Sequence, residues 1–236
     1  MSGLFVCEEP NIWRKVYDKY WNVVEAKAQG KKHGNLLKLD KWYQEELPVQ
    51  ISSRAEKHIT LAELVKLMQW KLTRGKFRPR LQQLVASNSE DTVEKCSRNA
   101  FNLLPDVQAA IAELSFLKGV GPATASAVLA AGAPEQTAFM SDEAMESVPG
   151  LPPNQYTAKN YTVFLSKIVE RSKKLNKADP QQDWTPHRVE LCLWAMTTAT
   201  KQQFRLFEEL NMKNVNTHEK TSDIDSEHIA KKLKTA

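Results

Sequence analysis

Between Leu117 and Leu129 the chain reads LKGVGPATASAVL, a stretch whose residue types suit the binding of an anion. Gly119 and Gly121 flank Val120, and Pro122 follows directly. Glycines there permit positive φ and close backbone approach, while proline suits the first position of a helix, where its missing N–H costs nothing. The stretch therefore predicts a tight helix–hairpin–helix, one helix ending near Leu117 and the next opening at Pro122. Amides of the loop at Gly119, Val120 and Gly121, together with the positive end of the second helix around Thr124, would receive one phosphate oxygen, with Lys118 nearby as a point charge. Such a site reads backbone and not base sequence. Alanines at 123, 125, 127, 130 and 131 make the second helix slender enough to pack closely on its partner. A glycine-containing helix connection with no ligand satisfies the same pattern.

A second concentration of charge lies upstream. From Lys66 to Arg80 the sequence KLMQWKLTRGKFRPR carries six cations and no acid, and Gly75 and Pro79 predict a loop for its densest part, TRGKFRPR. Arg74, Lys76, Arg78 and Arg80 form an electrostatic footprint for phosphates. A solvated face, with helix C-terminal cations on the dipole, is the plain alternative. Phe77 within this loop is expected to pack inward as an anchor rather than to stack on an unpaired base.

Composition narrows the classes. Lys plus Arg total 33 against 28 for Asp plus Glu, a net charge of +5 with a pI near 9.0, an excess that matters only where it clusters. Cys7, Cys96 and Cys192 form no CxxC pair, which argues against a disulfide framework or zinc ribbon and excludes a four-thiolate iron–sulfur cluster. None of the five histidines has metal-ligand spacing with a carboxylate, so no metal or other cofactor is expected. The N-terminal MSGLFVCEEPNIWRK has no basic leader with an apolar core, and no stretch reaches the roughly 18 apolar residues of a membrane span. A soluble intracellular protein with reduced thiols is the expectation.

The elements that must position these residues read as helices. One is expected from Asn11 to Ala28, where Trp13, Val16, Tyr17, Tyr20, Val23 and Val24 recur at three and four. Thr60 and Glu63 form a capping box for a helix running to about Leu72. Further helices are expected over Pro79 to Ala86, Glu90 to Ala100, Pro105 to Leu117, around Tyr161 to Val169, and from Thr185-Pro186 through Met196. Strand and hairpin signals are weak, which makes the fold class all-α. The six tryptophans are expected in the core. A helical domain over 1–212, containing the hairpin at 105–131, is followed by a flexible charged tail over 213–236. GKKHG, from Gly30 to Gly34, reads as an interhelical loop.

Leu117, Gly119, Val120, Gly121, Thr124 and Ala125 resemble the L-x-G-V-G-x-x-T-A hairpin of the endonuclease III class of helix-hairpin-helix DNA glycosylases. That family follows its hairpin with a short Gly/Pro loop and an essential aspartate. Here AAGAPEQTAFMSD, with Gly132 and Pro134, brings Asp142 twenty-one positions after Gly121. The likeness covers Pro105 to Val148. It implies two packed helical lobes, a DNA partner and hence a nuclear location, and a catalytic role for Asp142 in stabilising a cationic sugar while a flipped base departs. Asp142 or Ser141 is equally suited to cap a helix beginning at Glu143. Bifunctional members carry a Schiff-base lysine two positions after the second glycine, where this chain has Ala123, so strand cleavage through that lysine is not expected. The resemblance thus implies a monofunctional glycosylase, or a non-catalytic member that holds nucleic acid or a protein.

Overall fold

The computed structural model describes residues 3–30, 34–152 and 155–210, and among these every regular element is helical. The expected tail, and residues 31–33 of the GKKHG loop, lie outside the described residues. The chain runs α1 (Pro10–Asp18), α2 (Tyr20–Ala28), α3 (Leu36–Lys41), a π turn (Trp42–Glu46) and α4 (Leu47–Ser52). It continues through α5 (Leu61–Arg74), α6 (Pro79–Ala86), α7 (Glu90–Asn102), α8 (Val107–Leu114) and α9 (Pro122–Gly132). The last are α10 (Asp142–Ser147), α11 (Ala158–Ala178), α12 (Pro186–Lys201) and a 3-10 turn (Arg205–Phe207).

Helix starts follow local chemistry. Glu63 N–H donates to Thr60 Oγ1 at 3.2 Å while Thr60 N–H donates to Glu63 Oε2 at 2.9 Å, so two orphan donors at the start of α5 are met reciprocally. Ser89, Asp106, Thr157 and Thr185 each accept a first-turn N–H at the starts of α7, α8, α11 and α12. The single helix expected from Asn11 to Ala28 is instead two, broken at Lys19. No glycine or proline marks that break; packing imposes it, since α1 lies on α12 while α2 lies against both α3 and α12. The residues from Leu36 to Ser52, which carry no strong cap or period in the sequence, also turn out helical.

At the centre is α9, buried from Thr124 to Gly132 and packed by α4, α5, α8 and α11. Its alanines make that crowding feasible, because a thin helix lets four neighbours approach its backbone. Tyr43 Oη donates to the Ala127 carbonyl at 2.8 Å, and the Tyr43 ring stacks on Trp70 with centroids 3.5 Å apart. Trp13, Trp70 and Trp194 are wholly buried, Trp42 and Trp184 nearly so, and all five pack the core. Trp21 is only partly buried against it.

Candidate functional site

Three stretches far apart in sequence meet around one open cavity of about 320 Å³. The C-terminal end of α5 and its loop bring Lys71, Lys76 and Arg78; the hairpin brings Gly119 and Gly121; and the start of α10 brings Asp142. Phe139, Trp194 and Tyr156 supply aromatic wall.

The hairpin has the expected form, with α8 ending at Leu114 and α9 opening at Pro122. Gly119 adopts φ +77°, and a Cβ there would stand 2.9 Å from Leu84 Cβ and 3.0 Å from the Val85 amide nitrogen, so both conformation and space require glycine. Gly121 is different. Its φ is −111°, open space lies where a Cβ would be, and it leaves the first-turn amides of α9 without a side-chain cap. One of the amides proposed for phosphate, that of Val120, is already used, as is the neighbouring amide of Lys118. Lys118 N–H donates to Asn88 Oδ1 at 2.9 Å, with the Lys118 carbonyl accepting from Asn88 Nδ2 at 3.0 Å, and Val120 N–H donates to the Leu117 carbonyl at 3.1 Å. Anion-binding capacity in the hairpin therefore narrows to the amides of Gly119 and Gly121 and the opening turn of α9. Lys118 keeps an exposed side chain outside the cavity, Val120 is buried, and Thr124 reaches the cavity wall but is 3% exposed.

Asp142 is the first residue of α10, and the capping role falls to Ser141, whose Oγ accepts the Ala144 N–H at 3.4 Å. The segment leading to it is fixed from three sides. Tyr161 Oη donates to the Ala138 carbonyl at 3.0 Å, Met140 N–H donates to Ser126 Oγ at 2.9 Å, and Ser141 Oγ donates to Glu190 Oε1 at 2.5 Å. Both carboxylate oxygens of Asp142 have partners: Lys76 Nζ lies 2.9 Å from Oδ2, and Tyr156 Oη donates to Oδ1 at 2.5 Å. The hydrogen bond to Asp142 raises the Lys76 amine above its ordinary value. Burial, then the same carboxylate, raises the Tyr156 hydroxyl.

The basic loop needs two corrections. Arg74 is no part of an exposed footprint: it ends α5 with 1% of its side chain exposed, 3.1 Å from Glu190 Oε1 and 3.7 Å from Asp40 Oδ1, its guanidinium 4.1 Å from the Trp194 ring centroid. Burial opposes that charge, yet Glu190, Tyr20 and Asp40 hold the guanidinium above its usual value, while burial raises both carboxyls against the pull of Arg74. Phe77 does not anchor the loop inward; it is 75% exposed. The physical reason is that its neighbours Gly75, Lys76 and Arg78 line the cavity while Phe77, between them, does not and is left in solvent. Lys76, Arg78 and Arg80 are exposed, with Arg80 inside α6, and the Arg78 guanidinium lies 5.9 Å from the Tyr156 ring.

Sequence reasoning overlooked Lys71, Asn88, Tyr156 and Glu190. Lys71 stood within the basic run but outside its dense part, and Glu190 is a lone acid in an apolar helix, a signal that it is paired. Nothing local marks Asn88 or Tyr156. Among the described residues, no group of three or more His, Cys, Asp and Glu side chains could hold a metal ion, and no helix is long and apolar enough to cross a membrane. No protein-family model, no curated protein and no solved structure matches the chain.

Proposed function

We propose that the chain is a DNA-binding protein of the helix-hairpin-helix DNA glycosylase type, which holds duplex backbone at the hairpin and basic rim and excises a base with Asp142, without strand cleavage by a hairpin lysine. The observation that carries this reading is that Asp142, the hairpin and the cationic loop line one cavity. Lys76, Arg78 and the uncapped start of α9 attract phosphate. The aromatic walls and a volume of about 320 Å³ suit one planar group turned out of a stack. Exposed Phe77 beside Arg78 offers a face for an unstacked base. A two-lobed arrangement and a nuclear location belong to the same proposal.

The test is binding to a duplex containing an abasic-site analogue as salt is varied. Binding that weakens steeply with salt, with a slope lowered by about one for each of Lys76 and Arg78 replaced by alanine, supports the reading. Wild-type protein that ignores the duplex overturns it. Base release from duplexes with deaminated, oxidised and alkylated bases then asks for catalysis. A non-catalytic holder of nucleic acid is the second reading, favoured by one observation: Lys76 and Tyr156 occupy both oxygens of Asp142.

A further inference from the structure

A second cavity, of about 510 Å³, opens between the end of α1, the start of α2, the π turn and the start of α12, and shares no lining residue with the first. Tyr17 and Trp21, both half-buried, give it aromatic wall. Three carboxylates, Asp18, Glu45 and Asp183, stand in its lining against one guanidinium, Arg188, so this corner is acidic in a chain of net charge +5. The charges are unequally engaged. Arg188 pairs with Asp183 and lies 5.1 Å from the Tyr17 ring centroid, and Arg14 pairs with Asp179 and Asp183, 4.8 Å from the Trp184 centroid. The same corner thus twice holds a cation between a carboxylate and an aromatic ring, an attraction that grows as water is excluded. Asp18 and Glu45 lack such a partner: among the described residues no hydrogen bond or ion pair meets either carboxylate. Lys19, next to Asp18 in sequence, is engaged elsewhere, donating to the Leu206 carbonyl at 2.9 Å and pairing with Glu209.

A third acceptor of the lining is also unmatched. Gln44 Nε2 donates to Tyr20 Oη at 3.2 Å, which leaves Gln44 Oε1 to accept from His187 Nε2–H at 2.8 Å. Nδ1 of this neutral ring is then a bare acceptor, buried and met by no donor among the described residues. Carboxylates short of a cation and an imidazole short of a donor select a cationic donor. The aromatic wall and the volume select one with an organic body. Chelation of a metal is not what the set offers, since among the described residues no three His, Cys, Asp and Glu side chains group as ligands.

We propose that this second cavity binds an alkylammonium group, with Asp18 and Glu45 as its counter-ions and Tyr17 and Trp21 as its wall. Two sources carry that chemistry: a free polyamine, or Lys231, Lys232 and Lys234 of this chain. The second source is within reach. Leu206 and Glu209 are tied to Lys19, beside Asp18, and the 21 residues from Leu210 to Lys231 (231 minus 210) span up to about 70 Å when extended. Neither source depends on the DNA reading.

The experiment is isothermal titration of spermidine into the full chain at physiological salt, where long-range charge effects are screened. The expected result is saturable binding to one site, weakened about tenfold or more when Asp18→Asn and Glu45→Gln are combined. Both side chains are exposed and without a structural partner among the described residues, so that variant keeps its fold. Asp91→Asn with Glu94→Gln removes the same charge from α7, outside the cavity, and should leave binding unchanged. A full-length variant with Lys231, Lys232 and Lys234 all replaced by glutamine separates the sources. Tighter spermidine binding than in wild type means that the chain's own lysines compete for the cavity, and no gain means that a free amine is the ligand. The inference is overturned if neither wild type nor the lysine variant binds spermidine, or if the cavity pair of substitutions weakens binding no more than the α7 pair.

Discussion

Arg74 and Glu190 form an ion pair sealed inside the protein, with Nη1 3.1 Å from Oε1 and side-chain exposures of 1% and 0%. Removing one member of such a pair strands the other charge away from water, which costs more than the pair itself contributes. Arg74→Ala should therefore lower the unfolding free energy by about 3–5 kcal/mol in urea titration. Arg78→Ala, on the exposed rim, should change it by no more than about 0.5 kcal/mol. Equal effects from the two substitutions would mean that Arg74 is not the buried cation described above.

Asp142 and Lys76 are paired at the cavity mouth, where Lys76 is 56% exposed. With its lysine end in solvent and its carboxylate 17% exposed, such a pair contributes about 1 kcal/mol at most, so the contact matters for the site more than for the fold. Asp142→Asn should leave urea stability within that margin, remove a negative charge from a phosphate-binding surface and tighten duplex binding at low salt. It should also abolish any base release. Release that persists in the folded variant removes Asp142 from the chemistry.

His187 is held neutral. Its Nε2 lies 2.8 Å from Gln44 Oε1, its ring meets Tyr43 edge to face, and burial followed by the Arg74 charge lowers its value from 6.5 to about 3. A histidine depressed in the folded state contributes stability that is fully present above the unfolded value and is lost as pH falls toward the folded one. The buried carboxyls Asp40 and Glu190, both raised, act with the opposite sign. The difference between wild type and His187→Gln isolates the histidine. The wild type should lose urea stability relative to the variant as pH drops from 6.5 toward 3, and parallel curves would contradict the buried neutral ring.

Much of this architecture was legible because caps and periods are local. Thr60 with Glu63, Thr185 with Pro186, and the Gly119–Pro122 turn each announce a helix end within four residues, and each is found there. What failed depended on the rest of the fold. Arg74 belongs by composition with Lys76 and Arg78, yet its partners Asp40 and Glu190 lie 34 positions before it and 116 after. Phe77 is apolar and so reads as an inward residue, yet it is its neighbours Lys76 and Arg78 that line the cavity while Phe77 stands in solvent. Tyr156 meets Asp142, and Tyr161 of α11 meets the Ala138 carbonyl, two closures onto the segment before α10 that no spacing in the sequence reveals.

The two hairpin glycines separate stability from binding. At Gly119, a methyl group meets Leu84 and the Val85 backbone while φ stays at +77°, so Gly119→Ala should cost about 2–4 kcal/mol from left-handed strain and overpacking together. At Gly121 nothing within 4 Å opposes a methyl group and φ is ordinary, so Gly121→Ala should fold with a loss of no more than about 1 kcal/mol at the N-cap. Its methyl group nevertheless projects at the start of α9 beside the cavity, where it would crowd an approaching phosphate. Gly121→Ala is therefore the informative variant: near-normal urea stability with duplex binding weakened about tenfold, some 1.4 kcal/mol, is the expected result. Undiminished binding would mean that phosphate is held by the rim cations alone and that the hairpin serves only to turn the chain.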